Sequence, residues 1–377
     1  MMRPTMNTMH RVYWITLCCL LQPLYVLLAQ EVQQFTFNGD DGPYLINDSV
    51  YWVDQNNELV KISRTALDSI PVTIDHEDDQ SFFVPLNSSN AIARSEYALP
   101  EKLIAISDIE GRFDAFYSFL VANKVMDEQF RWQFGKGHLV LVGDFVDRGK
   151  NVTQVLWLIY KLEQEAEQAG GRVHFLLGNH ELLNFTGDVR YNRGKYLKVA
   201  QDITGLSDHA AAVQYLYSEK TVLGQWMRTK NTVLKVGNYL FVHAGLSPEL
   251  LNFNLTLEEI NSRIRETIQS PDQNDVTAEF LFGAEGPLWY RGYVYDHHHY
   301  PKIEQAEFDR LLTKYKADHI VIGHTVVDDI STDFEGKLIR IDVPHSSRKF
   351  SGKTKGLLVE NETAYWIDDQ GNKQRLD

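Results

Sequence analysis

Leu139-Val140-Leu141-Val142-Gly143-Asp144-Phe145-Val146-Asp147-Arg148-Gly149 sets the reading of the whole chain. Four apolar residues stop at a glycine, and acidic and basic side chains follow at once. A short Leu and β-branched run bounded by glycine reads as a buried strand. The same design stands upstream, where Leu103-Ile104-Ala105-Ile106 precedes Ser107-Asp108-Ile109-Glu110-Gly111. It stands again downstream, where Val173-His174-Phe175-Leu176-Leu177 precedes Gly178-Asn179-His180-Glu181. Helical stretches from Phe113 to Val125 and from Val152 to Gln168 separate the three runs. The pattern is therefore βαβαβ, with parallel strands buried on both faces. Polar residues that carry chemistry collect just past the carboxyl ends of such strands, where Asp108, Asp144, Asn179 and His180 stand.

Two later runs have the same ending. Tyr239-Leu240-Phe241-Val242 leads into His243-Ala244-Gly245, and His319-Ile320-Val321-Ile322 leads into Gly323-His324-Thr325. Strands that each deliver an Asp, Asn or His to one edge point to a metal site rather than to packing. Carboxylate oxygens and imidazole nitrogens together suit Mn, Fe or Zn, and one carboxylate shared by two cations makes a two-metal site.

The order GDFVDRG, GNHE, HAG and GHT between Leu103 and Asp342 resembles the calcineurin-like metallophosphoesterases, in particular the phosphoprotein phosphatase branch and its bacterial Shewanella-like relatives. The resemblance implies an α/β fold, a sandwich of β-sheets flanked by helices. It implies a metal-dependent phosphatase in which a hydroxide bridging two divalent cations attacks phosphorus. By position, Asp144, Asn179, His243 and His324 would hold the second cation, and Asp108, Glu110 and the shared Asp144 the first. The family's usual residue at position 110 is His, and a Glu there favours harder cations, Mn²⁺ before Fe or Zn. His180 would be the general acid, oriented by Asp147, since a carboxylate beside an imidazole stabilises its cationic form. Arg148 and Arg291 would grip the phosphoryl oxygens together with Asn179. Other readings are a hydrolase of small phosphate esters or dinucleoside polyphosphates, and a degenerate phosphate-binding protein with an impaired first metal site.

Outside the motif region the expectations are coarser. Residues 1–29 read as a secretory signal peptide: Arg3 and Arg11, an apolar run from Val12 to Leu28, then Ala29. Export to a periplasm follows, with no stable membrane span after cleavage. Both cysteines, Cys18 and Cys19, lie in this leader, so the exported chain would rely on its core and its metals. Removing Arg3 and Arg11 leaves 35 of the 37 basic residues against 51 acidic ones, a formal charge of −16. Such acidity argues against nucleic acid and leaves a phosphorylated protein or small molecule as the expected partner.

Residues 30–100 read as a β accessory segment, 101–345 as the catalytic domain with a helical cap insert at 181–233, and 346–377 as a β-hairpin packed on the core. The stretches 47–54 and 361–368 share a turn, an aromatic strand and a second polar turn, and side-by-side packing of the two is expected. Arg190-Tyr191 in the insert is a candidate for facing substrate. His297-His298-His299 is expected not to bind metal, because consecutive residues of a regular strand point to opposite faces and the neighbouring Asp296 and Tyr300-Pro301 read as loop.

Overall fold

A computed structural model describes residues 41–64, 67–74, 80–86, 90–268 and 274–376. The expected signal peptide lies outside these residues. Two six-stranded mixed sheets face one another. The first runs, in spatial order, Lys373–Arg375, Thr363–Asp368, Lys355–Glu360, Lys102–Ile106, His138–Val142, Arg172–Leu176. The last three are parallel, and the C-terminal hairpin joins them antiparallel through Lys355–Glu360. That hairpin is thus an extension of the sheet. The second sheet runs Ser331–Asp333, Leu338–Arg340, His319–Ile322, Tyr239–Val242, Val233–Val236, Glu96–Tyr97.

Strand alternation explains why the runs are so largely apolar. Leu103, Ala105, Val140 and Val142 pack with Val236, Phe241, Val321 and Ile339 in the core between the sheets. Their neighbours Ile104, Ile106, Leu139 and Leu141 turn outward into a larger cluster with Phe116, Phe119, Leu156 and Trp157. The last four belong to the helices Phe113–Ala122 and Val152–Gln168. With both faces of each strand covered, the strand interiors are apolar apart from His174 in Arg172–Leu176, and the other chemistry-bearing polar residues come where the strands end.

The 47–54 and 361–368 segments do not share a sheet. Ser49–Val53 lies in a separate three-stranded sheet with Asp41–Ile46 and Leu59–Ser63, whereas Thr363–Asp368 belongs to the first large sheet. The N-terminal sheet packs instead on the insert: Ile46 clusters with Leu197, Ala200, Ala212, Val213 and Leu216. Those residues lie on the helices Gly194–Thr204 and His209–Leu216. The likeness of the two segments reflects what any aromatic hairpin needs.

Candidate active site

Five strands from the two sheets end at one edge, and the backbone there is held in an uncommon conformation. Asp108, Glu110, Asp144, Asp147, Arg148 and His324 all have left-handed φ, between 48° and 69°. Side-chain-bearing residues cost roughly 1 kcal/mol or more each there, and persist only where surrounding contacts over-determine them. The contacts are present. Asp108 N–H donates to Gly143 O at 3.0 Å, Glu110 N–H to Asp144 O at 2.9 Å, and Gly111 N–H to Phe145 O at 2.9 Å. Glu181, wholly buried, accepts from the N–H groups of Gly178 (2.7 Å), Asp144 (2.9 Å), Phe145 (2.8 Å) and Val146 (3.3 Å). One carboxylate therefore stitches two strand ends together. Gly143, at φ 80°, leaves room for the neighbouring ring, since a Cβ there would lie 2.5 Å from His243 Nδ1.

His243 is the centre of the expected second-cation set. Its Nδ1–H donates to Val142 O at 2.9 Å, which turns the Nε2 lone pair to Asn179 Oδ1 (3.0 Å), Asp144 Oδ2 (3.1 Å) and His324 Nδ1 (3.1 Å). Four electron-rich atoms converge with little to reconcile them except a cation or an added proton. Burial pushes the His243 imidazole down, but Asp144 and Asp108 outweigh it and raise it to about 9. The space between these side chains attracts positive charge. A ligating histidine that donates its other N–H to a backbone carbonyl is the usual arrangement around a metal, so the residues present fit a divalent ion. Asp144, His243 and His324 are buried, with ligand atoms within 4.8 Å of one another.

Asp144 also accepts from His180 N–H at 2.9 Å, at the N-terminus of the helix Asn179–Thr186, where the helix dipole favours an anion. Asp108 is buried beside it, its Oδ2 accepting from His324 N–H at 3.1 Å. Burial and the charge of Asp342 hold the Asp108 carboxyl well above the usual range.

Glu110 departs from the expectation. Its Oε2 is 2.7 Å from Arg112 Nη1, and its Oε1 is in close contact with Arg148 Nη1. Each carboxylate oxygen is thus taken by a guanidinium, and Glu110 is not among the converging ligand groups. The negative charge placed where the family has an imidazole attracts two arginines.

His180 and Asp147 meet as expected, with Nδ1 2.7 Å from Oδ2. Burial opposes protonation of His180, but the Asp147 hydrogen bond and the Asp144 charge prevail and raise its pKa. The other Asp147 oxygen accepts from Asn184 Nδ2 at 3.0 Å and, more closely, from Asn192 Nδ2. Tyr191 lies under both functional groups: its ring is 4.7 Å from His180 and 4.7 Å from the Arg148 guanidinium. Arg190 instead pairs with Asp188 at the surface, at 2.6 Å.

Arg291 comes from the far side, its Nη1 donating to His324 O (2.9 Å) and Thr325 Oγ1 (3.2 Å). Asp108, Glu110, Asp144, Arg148, Asn179, His180, Arg291 and His324 line one cavity of about 430 Å³, joined by Arg112, Tyr191, Trp289, Asp342 and His345. Burial, with Asp144 nearby, raises the Asp342 carboxyl to about 7. Arg112, Glu181, Asn184 and Asn192 were not singled out by sequence reasoning. Only Glu181 carried a signal, since it sits within GNHE and caps its own helix.

Residues 101–328 match the family model described as calcineurin-like phosphoesterase. The chain belongs to the calcineurin-like phosphoesterase family. It is a hydrolase, and membership implies divalent metal ions. A solved structure titled cold-active protein-tyrosine phosphatase of a psychrophilic Shewanella sp. superposes with a TM-score of 0.78 at 32% identity, covering 90% of this chain and 100% of that one. Shewanella-like protein phosphatase 2 of Arabidopsis thaliana is 26% identical over 74% of this chain and 81% of its own length. A symmetrical bis(5'-nucleosyl)-tetraphosphatase of Chromobacterium violaceum is 28% identical over 39% of this chain and 44% of its own.

Proposed function

We propose that the protein is an exported phosphomonoesterase acting on phosphorylated protein side chains. Support for the reaction comes from one observation above all: a His180–Asp147 pair at 2.7 Å stands beside convergent Asp144, Asn179, His243 and His324 and opposite two arginines. A site that only held phosphate would need no proton donor.

In this reading Asp144, Asn179, His243 and His324 hold one divalent cation, and Asp108 with Asp144 holds the other, with Mn²⁺ expected from the oxygen-rich set. When bound, the two cations supply an acidified water as nucleophile and offset phosphate charge. Arg148 and Arg291 grip the phosphoryl oxygens, with Asn179 at the same edge. His180 carries the proton given to the departing oxygen, and Asp147 fixes its Nδ1 while Nε2 stays free to donate. Glu110 acts on substrate indirectly: it holds one edge of Arg148 while Tyr191 supports the guanidinium face, so the remaining edge is aimed before phosphate arrives.

The protein substrate is supported by the likeness to the Shewanella phosphatase and to the Shewanella-like phosphatases. Periplasmic export is supported by the leader-like composition of residues 1–29. Among the described residues no helix is long and apolar enough to cross a membrane. A net charge of −14 supports a partner other than nucleic acid. Side-by-side assays with Mn²⁺ on phosphotyrosyl, phosphoseryl and phosphothreonyl peptides and on a dinucleoside tetraphosphate test the reading. Faster turnover of the peptides is expected. Turnover of the dinucleotide alone would overturn the protein-substrate assignment.

A further inference from the structure

The chain reverses between His297 and Tyr300, within the stretch expected to be loop. His297 N–H donates to Tyr300 O at 2.8 Å and Tyr300 N–H donates back to His297 O at 3.1 Å. His298 and His299 therefore sit at the tip of a tight turn. A turn removes the alternation that would send neighbouring imidazoles to opposite faces. The ring centroids of His297 and His298 are 4.1 Å apart, those of His298 and His299 3.9 Å, and those of His297 and His299 5.3 Å. One nitrogen of each lies within 4.8 Å of the other two. His298 and His299 are exposed and His297 is half-buried, so solvent reaches the cluster.

We propose that His297, His298 and His299 form a second, solvent-facing metal site, for a divalent transition cation that prefers imidazole nitrogen: Zn²⁺, Ni²⁺ or Cu²⁺. The site stands apart from the catalytic cluster in its ligands, which are three imidazoles of one turn and share no residue with Asp144, His243 and His324. Its place in the fold gives it a mechanical role. The next residue, Tyr300, is buried, packs 4.7 Å from the Tyr290 ring, and its hydroxyl oxygen accepts from Arg291 N–H at 2.9 Å. Ile303 N–H closes the same loop on Gly292 O at 2.9 Å. A cation on the three imidazoles would clip the end of the loop that carries Trp289 and Arg291.

The test is a Ni²⁺ titration of three full-length proteins, with metal content measured after desalting: wild type, His298→Ala/His299→Ala, and Asp144→Asn. Circular dichroism checks that each is folded, and the exposed position of the two histidines makes a folding defect in the double variant unexpected. Wild type should retain one more Ni²⁺ per chain than the double variant, and Asp144→Asn should keep that ion because its turn is intact. With Cu²⁺, the extra site should give a nitrogen-ligated signal by electron paramagnetic resonance that the double variant lacks. Equal Ni²⁺ content and equal Cu²⁺ spectra in wild type and the double variant would overturn the proposal.

Discussion

Among the described residues, imidazoles meet in two places that each offer three ligand atoms within 4.8 Å, and the two are built on opposite plans. Asp144, His243 and His324 are buried and come from positions far apart in the chain, whereas His297, His298 and His299 are consecutive and reach solvent. At the first, a proton on Nδ1 is committed to Val142 O, and Gly143 keeps the ring's space open. At the second, one turn does the gathering, held by two backbone hydrogen bonds. Burial fixes geometry and raises the cost of uncompensated charge, so the first site can lower the barrier of a reaction. The second can take up a cation and give it back.

The sharpest way to break this comparison is to remove the shared carboxylate. Asp144→Asn should lower kcat for a phosphomonoester about 10³-fold or more, whereas His298→Ala/His299→Ala should leave it unchanged without added metal. Nearly as large an effect is expected from His180→Asn, a loss of about 10²- to 10⁴-fold in kcat, with both catalytic cations retained by elemental analysis. Retention of full activity by that variant would remove the general acid from the account.

Smaller effects separate ligand from orienting group at the edge of the buried site. Arg148→Ala should lower kcat/KM by about 30- to 100-fold, mainly through KM, as expected for loss of a charge-assisted hydrogen bond. Glu110→Gln should lower it about 10-fold with unchanged metal content. The double variant should be little worse than Arg148→Ala alone, because the two act as a unit. Loss of one cation in Glu110→Gln would return that residue to the metal.

The smallest effect concerns a third meeting of imidazoles. His174 Nε2 lies 3.1 Å from His138 Nδ1, and burial disfavours a charge on either ring. Burial first, and Arg172 as well, lower both, His138 to about 4. The unfolded chain then takes up protons first as the pH drops through about 6.5. This pair should accordingly lower the denaturant midpoint as the pH falls from about 6.5 towards 4. A His138→Gln/His174→Gln variant should flatten the dependence.

Much of this molecule is legible in the sequence for a plain reason. Strands covered on both faces are largely apolar, so the first polar residues past each run mark both the strand end and the site. The helix Val152–Gln168 and the set Asp144, Asn179, His243 and His324 follow from that rule together with the family motifs. What stayed hidden depends on encounters between distant segments. Asn192 reaches Asp147 only because the insert folds back, and Glu181 reaches three N–H groups of another loop. Glu110 was placed as a ligand by its position in the family motif, and that position carries no information about the two arginines that meet it. The loop character around Asp296 and Tyr300-Pro301 was legible, but the closeness of the three imidazoles at the turn was not.

Elemental analysis of the purified protein, stripped by chelator and then reconstituted with Mn²⁺, tests the central claim most directly when paired with hydrolysis of a generic phosphomonoester. The account predicts no turnover by the stripped protein, and two retained Mn²⁺ per chain with turnover restored after reconstitution. Turnover by the metal-free protein, or a reconstituted chain that retains no cation, would contradict it.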